Sequence, residues 1–234
     1  RNSVFIQARE GGSISAIYGR GFQRVEDESS EYYGQMIVNN SGIPIRTDDL
    51  VYQGDYAPDY TLGILNSFKY KSLDFGFMFD IRQGGIVVSR TKTIGSTSGQ
   101  LKETLEGRET GIVAEGVLET SPGVYTPNTI NVDVRTFNNR YYERDNVEAA
   151  KYDASYTKLR EVTLGYSLSK KIIDRLPISK ARLSLTGRNL ALWTDNPHFD
   201  PETVSVAGGT LQPGIENMSY PSTKTYTLNL QIDF

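Results

Sequence analysis

The last residues of the chain alternate strictly between apolar and polar side chains. The apolar positions are Tyr226, Leu228, Leu230, Ile232 and Phe234, and every residue between them is polar. Because successive side chains of a strand point to opposite faces, this pattern predicts a strand with one apolar and one polar face. Its length suits a bilayer-spanning strand of about 9–11 residues. The edge strand of a soluble sandwich would show the same alternation, so this stretch alone leaves both interpretations open.

The same alternation predicts an antiparallel hairpin over residues 61–82, with Lys71 and Ser72 as its two-residue turn. Apolar residues share one face of its second strand, namely Leu73, Phe75, Phe77, Phe79 and Ile81. The other face carries charges that a dry protein core would not accommodate but a water-filled lumen would. Two more strands are predicted over 156–168 and 181–190. The fold class is therefore all-β.

Long and short connections between these strands sort to opposite ends. If Phe234 lies on the periplasmic side, the stretches 83–155 and 193–221 are extracellular, and residues 71–72 and 169–179 are periplasmic turns. Long outer loops and short inner turns are typical of bacterial outer-membrane barrels. No helical periodicity is evident in 84–155, which predicts a long irregular loop, and residues 1–60 predict only short strands.

Composition narrows the function classes. Hydrophobic residues make up 38% of the chain, mean hydropathy is −0.42, and no apolar run is long enough for a transmembrane helix. The absence of cysteine excludes disulfides and thiolate metal sites. A net charge of −3 with scattered basic residues argues against a nucleic-acid partner. We predict no enzyme activity, no catalytic residues and no cofactor, because the single histidine, His198, belongs to no readable catalytic motif and no serine has a base within one. We also predict no metal, because the carboxylate spacing is not that of a calcium loop.

Several motifs occur in a recognisable order. They are Tyr-Thr-Lys-Leu-Arg-Glu-Val-Thr-Leu-Gly-Tyr at 156–166, Leu-Thr-Gly-Arg-Asn-Leu at 185–190, Phe-Asp-Pro-Glu at 199–202 and Tyr-Pro at 220–221. Ile-Tyr-Gly at 17–19, Pro-Asp-Tyr at 58–60 and Gly-Gly at 84–85 precede them. In this order the chain resembles the C-terminal region of SusC-like (SusC/RagA family) TonB-dependent transporters from the outer membranes of Bacteroidetes.

The resemblance implies a large antiparallel transmembrane β-barrel of about 22 strands. Residues 1–234 would then be the C-terminal portion of the barrel, without the plug. The remaining strands, the plug and the TonB contact would belong to an N-terminal portion of the same transporter. The resemblance also implies location in the Gram-negative outer membrane, contact with its lipid, a SusD-like surface lipoprotein as a lid, and import of oligosaccharides or oligopeptides.

Two alternatives remain open at this point. A passive porin-like or structural barrel would need no plug or lid, so an upstream plug with a TonB-contacting segment distinguishes it from an importer. A soluble β-sandwich that binds glycans would not require detergent for extraction from membranes.

Candidate site residues follow from the pattern and the resemblance. The predicted lumen-lining residues are Asp74, Asp80, Arg82, Glu161, Arg182 and Arg188. The predicted substrate or partner contacts are Phe137, Arg140, Tyr141, Tyr142 and Trp193. Tyrosine and arginine are enriched where binding energy concentrates. Trp193 suits either the aromatic girdle at the membrane surface or stacking on a sugar.

Two further assignments concern single positions. Phe234, an aromatic residue ending an alternating strand, is the predicted assembly signal. Asp195, Asp200 and Glu202 could supply oxygen ligands to a hard cation, although turn chemistry explains Asp200-Pro201 equally well.

Overall fold

A computed structural model describes residues 4–174, 177–207 and 209–234. The chain divides into two compact units. The first, here called the sheet unit, consists of Pro58–Gly84, Ala154–Glu202 and Tyr220–Phe234. The second, here called the composite unit, is assembled from Gly85–Asp153, Thr203–Ser219 and the residues up to Ala57.

Strands dominate the structure. They are β1 (Phe5–Ile6), β2 (Ala16–Gly19), β3 (Ile37–Val38), β4 (Val51–Asp55), β5 (Tyr60–Tyr70), β6 (Leu73–Gln83), β7 (Ile86–Ser89), β8 (Val117–Ser121), β9 (Val124–Pro127), β10 (Lys151–Asp153), β11 (Tyr156–Ser167), β12 (Lys180–Trp193), β13 (Ser205–Ala207), β14 (Thr210–Gln212), β15 (Ile215–Glu216) and β16 (Thr225–Asp233). The α-helices are α1 (Arg90–Thr97), α2 (Val134–Tyr141) and α3 (Lys170–Ile173), with 3₁₀ turns at Lys102–Leu105 and Glu148–Ala150. None of the helices in the described ranges has the length and apolar character needed to cross a membrane.

The sheet unit is built on a five-stranded antiparallel sheet in the order β5-β6-β11-β12-β16. Its register joins the apolar faces predicted for the separate strands. One row runs across all five strands through Phe68, Phe75, Leu164, Leu185 and Leu228. Side chains in such rows contact their cross-strand neighbours, which fixes the register. The all-β prediction and the predicted hairpin are therefore confirmed.

A β-bulge at Arg160 interrupts β11. Leu159 and Glu161 pair with the adjacent residues Phe79 and Met78 of β6, so Arg160 is the extra residue of β11. Strict alternation from Val162 backwards would instead place Arg160 and Lys158 on the apolar face. A bulge shifts the register by one residue, which moves both cations to the polar face and Leu159 to the apolar face.

The ends of the strands agree with the predicted sorting of connections. Tyr60 pairs with Gln83, and Thr157 pairs with Trp193, so these residues lie at one end of the sheet. At the other end, a two-residue turn joins β5 to β6, and Lys71 takes the left-handed backbone conformation in it, with a φ of 53°. Within the second short connection, 169–179, residues 175 and 176 lie outside the described residues.

The prediction of an irregular stretch over 84–155 is wrong. The stretch contains α1, α2 and β7–β10. Both helices have eight residues, too few to produce a clear 3.6-residue period, yet each begins at a side-chain cap. The Ser89 side chain accepts a hydrogen bond from the backbone N–H of Lys92, and the Asp133 side chain accepts one from Thr136.

A small core and a buried carboxylate hold the separate segments of the composite unit together. The core cluster comprises Val4, Ile17, Val88, Val147, Ala150 and Ile215. Strand β15 adds to β7 in parallel, and Glu216 is fully buried beside it. Its carboxylate accepts hydrogen bonds from the hydroxyls of Ser89 and Thr91 at 2.8 and 2.6 Å, at the start of α1. The buried charge is thereby satisfied and lies at the favourable end of the helix dipole.

Candidate functional site

The six predicted lumen-lining residues all lie on the polar face of the five-stranded sheet. They do not remain as separate charges, because most of them form ion pairs. Arg182 lies 3.3 Å from Asp74, and the Arg188 Nε donates to Glu161 at 2.8 Å. Asp80 pairs with Arg160 at 2.5 Å, a partner that the sequence pattern alone had not assigned. The face is thus a wall of paired rather than competing charges.

The Asp74–Arg182 pair reaches across an intervening strand. Asp74 is on β6 and pairs with Gly165 of β11, whereas Arg182 is on β12 and pairs with Ser167, two residues further along the same face of β11. The Arg182 guanidinium occupies the space that a side chain at 165 would need, since a Cβ there would lie 2.6 Å from its Nη2. Glycine at this position therefore allows the ion pair to form.

We expect Gly165→Val to separate Arg182 from Asp74. Gly63→Val on β5 is the matched control, because a Cβ at Gly63 would meet nothing within 4 Å. Both changes add β-propensity, but only the first displaces an ion pair, so Gly165→Val should leave the protein less stable than the control by about 1 kcal/mol. Thermal unfolding of the full-length protein in detergent measures the difference. Equal shifts in the two variants would contradict the role assigned to Gly165.

Two cations of β11 hold a connecting segment on the polar face. The segment, residues 194–202, follows β12, belongs to the sheet unit and is here called the strap. The Lys158 Nζ donates to Asp200 at 2.7 Å and to Glu202 at 2.5 Å. Arg160 donates to both oxygens of Glu202, at 2.8 and 2.5 Å. The hydrogen bonds from Arg160 lower the pKa of Glu202 to about 2, with Lys158 adding to the effect and burial opposing it.

These contacts account for the carboxylates considered as cation ligands. Asp200 and Glu202 neutralise Lys158 and Arg160, and the second oxygen of Asp200 accepts the backbone N–H of Glu202 at 3.0 Å. Turn chemistry and ion pairing are therefore the observed roles of the Phe-Asp-Pro-Glu motif. Asp195 is exposed. Among the described residues, the side chains form no cluster of three or more potential ligands for a metal ion.

The predicted contact segment 137–142 lies on α2 and the residue after it, in the composite unit, and its aromatic members are partly buried and pack against one another. The Tyr141 ring lies 4.8 Å from Phe22, 5.0 Å from Phe137 and 4.9 Å from Tyr142. Burial raises the pKa of Tyr142 to about 12 and is also the main cause of the raised pKa of Tyr141. These aromatic residues stabilise the unit, whereas the side chain of Arg140 is 64% exposed.

Trp193 lies on the apolar side of the sheet. It ends β12, pairs with Thr157, and its ring is 6.4 Å from that of Phe79. Roughly half of the side chain is exposed. A tryptophan at a strand end and on the apolar face favours the membrane-girdle interpretation over stacking on a sugar at the opposite face.

Comparison with known proteins shows which proteins this chain is similar to. No protein-family model matches the chain. It is 26% identical to TonB-dependent receptor P3 of Formosa agariphila over 97% of its length, and 31% identical to TonB-dependent receptor P26 of the same organism over 84%. The chain is homologous to TonB-dependent receptors. It spans only part of them, corresponding to 23% of receptor P3 and 19% of receptor P26.

Solved structures show the same fold. The RagAB peptide importer in its closed-closed and open-open states matches 94% of the chain with a TM-score of 0.59, at 17% and 16% identity. The matched region is 24% and 23% of the importer chains. The predicted resemblance to receptors of this type and the predicted outer-membrane location are confirmed. These relatives are receptors and importers, which agrees with the prediction of a protein that is not an enzyme.

Proposed function

We propose that residues 1–234 form a C-terminal portion of the barrel of an outer-membrane importer energised through TonB. The observation that carries the proposal is a sheet with one apolar face and one ion-paired face in a homologue of TonB-dependent receptors. The apolar face is extensively exposed, for example 69% at Leu228 and 49% at Leu185. In an outer membrane such side chains contact lipid, and the opposite face lines a water-filled lumen.

Additional strands are part of this proposal. Within the described part of the chain, β5 and β16 form the two edges of the sheet and each has one neighbour. Unpaired strand edges are not tolerated in hydrocarbon, so strands from an N-terminal portion of the same transporter should pair with both. That portion would also supply the plug and the contact with TonB.

The proposal also covers the class of substrate and the partner protein at the extracellular opening. The structurally similar RagAB is a peptide importer, which supports oligopeptides alongside oligosaccharides as the substrate class. A SusD-like lipoprotein would cover the outer opening. Within Phe137–Tyr142, we assign contact with the substrate or the lipoprotein to Arg140, because its side chain is exposed whereas the neighbouring tyrosines are packed.

Uptake by bacteria expressing the full-length receptor tests the proposal. Labelled oligopeptides and oligosaccharides are supplied separately, with and without the segment that contacts TonB. Loss of uptake without that segment, from a barrel that still folds and needs detergent for extraction, is the expected result. Undiminished uptake would instead indicate a passive porin-like barrel, and extraction without detergent would indicate a soluble glycan-binding module.

We expect deletion of Phe234 to reduce delivery into the outer membrane more than it reduces barrel stability. Phe234 follows β16 and is 90% exposed within this chain, so it makes little contact with the described residues, and losing its contacts with lipid should cost no more than about 1.5–3 kcal/mol. Quantitative blots of outer-membrane fractions, together with unfolding of the purified barrel, separate the two effects. Wild-type levels of the truncated receptor in the outer membrane would exclude an assembly signal at this position.

A further inference from the structure

The strap is a connection with an ordered structure of its own. Asn196 and Asp200 are buried, and each side chain accepts the backbone N–H two residues later, at 3.4 Å from His198 and 3.0 Å from Glu202. Such turns hold the strap in a defined shape. At its start, the Thr194 hydroxyl donates to the Ser155 carbonyl at 2.9 Å. The strap is therefore shaped locally and attached at both ends.

Its main attachment is a buried ion pair. The side chains of Lys158 and Asp200 are only 4% and 5% exposed, and their charged atoms are 2.7 Å apart. The Lys158 Nζ also lies 4.7 Å from the centre of the Tyr156 ring. Removing one partner of a buried pair leaves an uncompensated charge, which is strongly destabilising. By contrast, Glu202 is half-exposed and connects the strap to Arg160 in a more hydrated place.

The sheet supplies both cations of this group of ion pairs and one of its acids, and the strap supplies the other two acids. Both cations belong to β11, and Arg160 has a second acidic partner on the wall, Asp80 of β6. Asp80 also accepts a hydrogen bond from the Tyr156 hydroxyl at 3.4 Å. If the strap leaves, Arg160 keeps Asp80, and Lys158 becomes hydrated. Release of the strap would therefore break the buried Lys158–Asp200 pair but leave the Arg160–Asp80 pair on the sheet.

We propose that the strap is a movable gate on the polar face, closed by the ion pairs of Lys158 with Asp200 and of Arg160 with Glu202. Its release uncovers the part of the wall around Tyr156, Lys158 and Arg160. The gating role rests on the proposed function, because only a barrel makes this face the wall of a lumen. The attachment of the strap to the sheet by these ion pairs does not depend on transport.

Thiol labelling in the full-length receptor tests the attachment. His198→Cys is the reporter in every variant, after any other cysteines have been replaced, and a membrane-impermeant maleimide is the probe. In Lys158→Gln the labelling rate should rise at least about tenfold, because the buried carboxylate of Asp200 loses its partner. Glu202→Gln should produce a smaller rise. Lys180→Gln, which changes an exposed lysine on β12, should leave the rate unchanged.

Folding and transport are measured separately. Heat-modifiable gel mobility establishes that each barrel has formed, and Glu202→Gln retains the Lys158–Asp200 pair if Lys158→Gln fails to assemble. Single-channel recording should show larger or more frequent openings in the variants that label faster. Unchanged labelling of folded Glu202→Gln and Lys158→Gln would overturn the proposal. Failure of the wild-type receptor to import would instead refute the proposed function, and the labelling result would still stand.

Discussion

Leu228→Arg will prevent most of the full-length receptor from assembling, whereas Asn229→Arg will be tolerated. Leu228 is in the apolar row of the sheet and pairs with Leu185 of β12. Asn229, the next residue, pairs with Ser184 on the polar face. An arginine on the lipid face near the bilayer midplane costs about 2–4 kcal/mol, while a lumen position keeps its charge hydrated.

The two variants form a matched pair because they introduce the same charge one residue apart. Heat-modifiable gel mobility measures the folded fraction, and denaturant unfolding of the purified barrels measures the stability difference. If both variants assemble equally well, the assignment of the two faces is wrong. If Asn229→Arg alone fails, the faces are interchanged, and the ion-paired side would have to face lipid.

The strands of the sheet unit could be predicted from the sequence because each carries its own two-residue period. The terminal strand predicted from Tyr226 to Phe234 corresponds to β16 (Thr225–Asp233), and the predicted hairpin corresponds to β5 and β6. Apolar residues at every second position all lie on the same face of an extended strand, so the pattern defines which face is apolar. The five strands of this sheet also pair in the order in which they occur along the chain, although β7–β10 and β13–β15 of other sheets lie between them in sequence.

The charge cluster at the strap combines a bulge, which the sequence indicates, with long-range ion pairs, which it does not. Strict alternation predicts the two faces of β11 correctly from Val162 towards Ser167. Before Val162 the alternation breaks at Arg160. Without an inserted residue, Lys158 and Arg160 would both fall on the apolar face, which is a sign of the bulge. Two cations out of phase with an otherwise regular strand indicate a bulge. The acidic partners lie 42 and 44 residues later in the chain, and only the tertiary structure brings them next to β11.

The composite unit was missed for a different reason. Its helices and strands are short, and its segments come from three separate parts of the chain. Contacts such as that between Glu216 and Ser89, 127 residues apart, leave no local pattern. The sequence predicts Asp74, Glu161, Arg182 and Arg188 as lumen-lining residues, but their pairing across strands depends on the register.

The aromatic packing of α2 predicts a large loss of stability when the Tyr141 side chain is truncated. Tyr141→Ala should destabilise the composite unit by about 2 kcal/mol, because truncating a large, partly buried aromatic removes both transfer free energy and ring packing. Three rings, those of Phe22, Phe137 and Tyr142, lie within 5.0 Å of the Tyr141 ring. Arg140→Ala is the neighbouring control. Its side chain is 64% exposed and lies 3.9 Å from Glu143, so its loss should cost less than about 1 kcal/mol.

Measurements of local stability and of function together distinguish packing from binding. Hydrogen exchange of α2 and limited proteolysis of the full-length receptor should accelerate in Tyr141→Ala and remain near wild type in Arg140→Ala. Barrel assembly should be normal in both, since neither residue belongs to the five-stranded sheet. If Arg140 contacts the substrate or the lipoprotein, Arg140→Ala will reduce uptake or co-purification without accelerating proteolysis. Equal exchange rates in the two variants would show that Tyr141 is not part of the packing. Normal uptake and an intact complex in Arg140→Ala would leave the exposed face of α2 without a binding role.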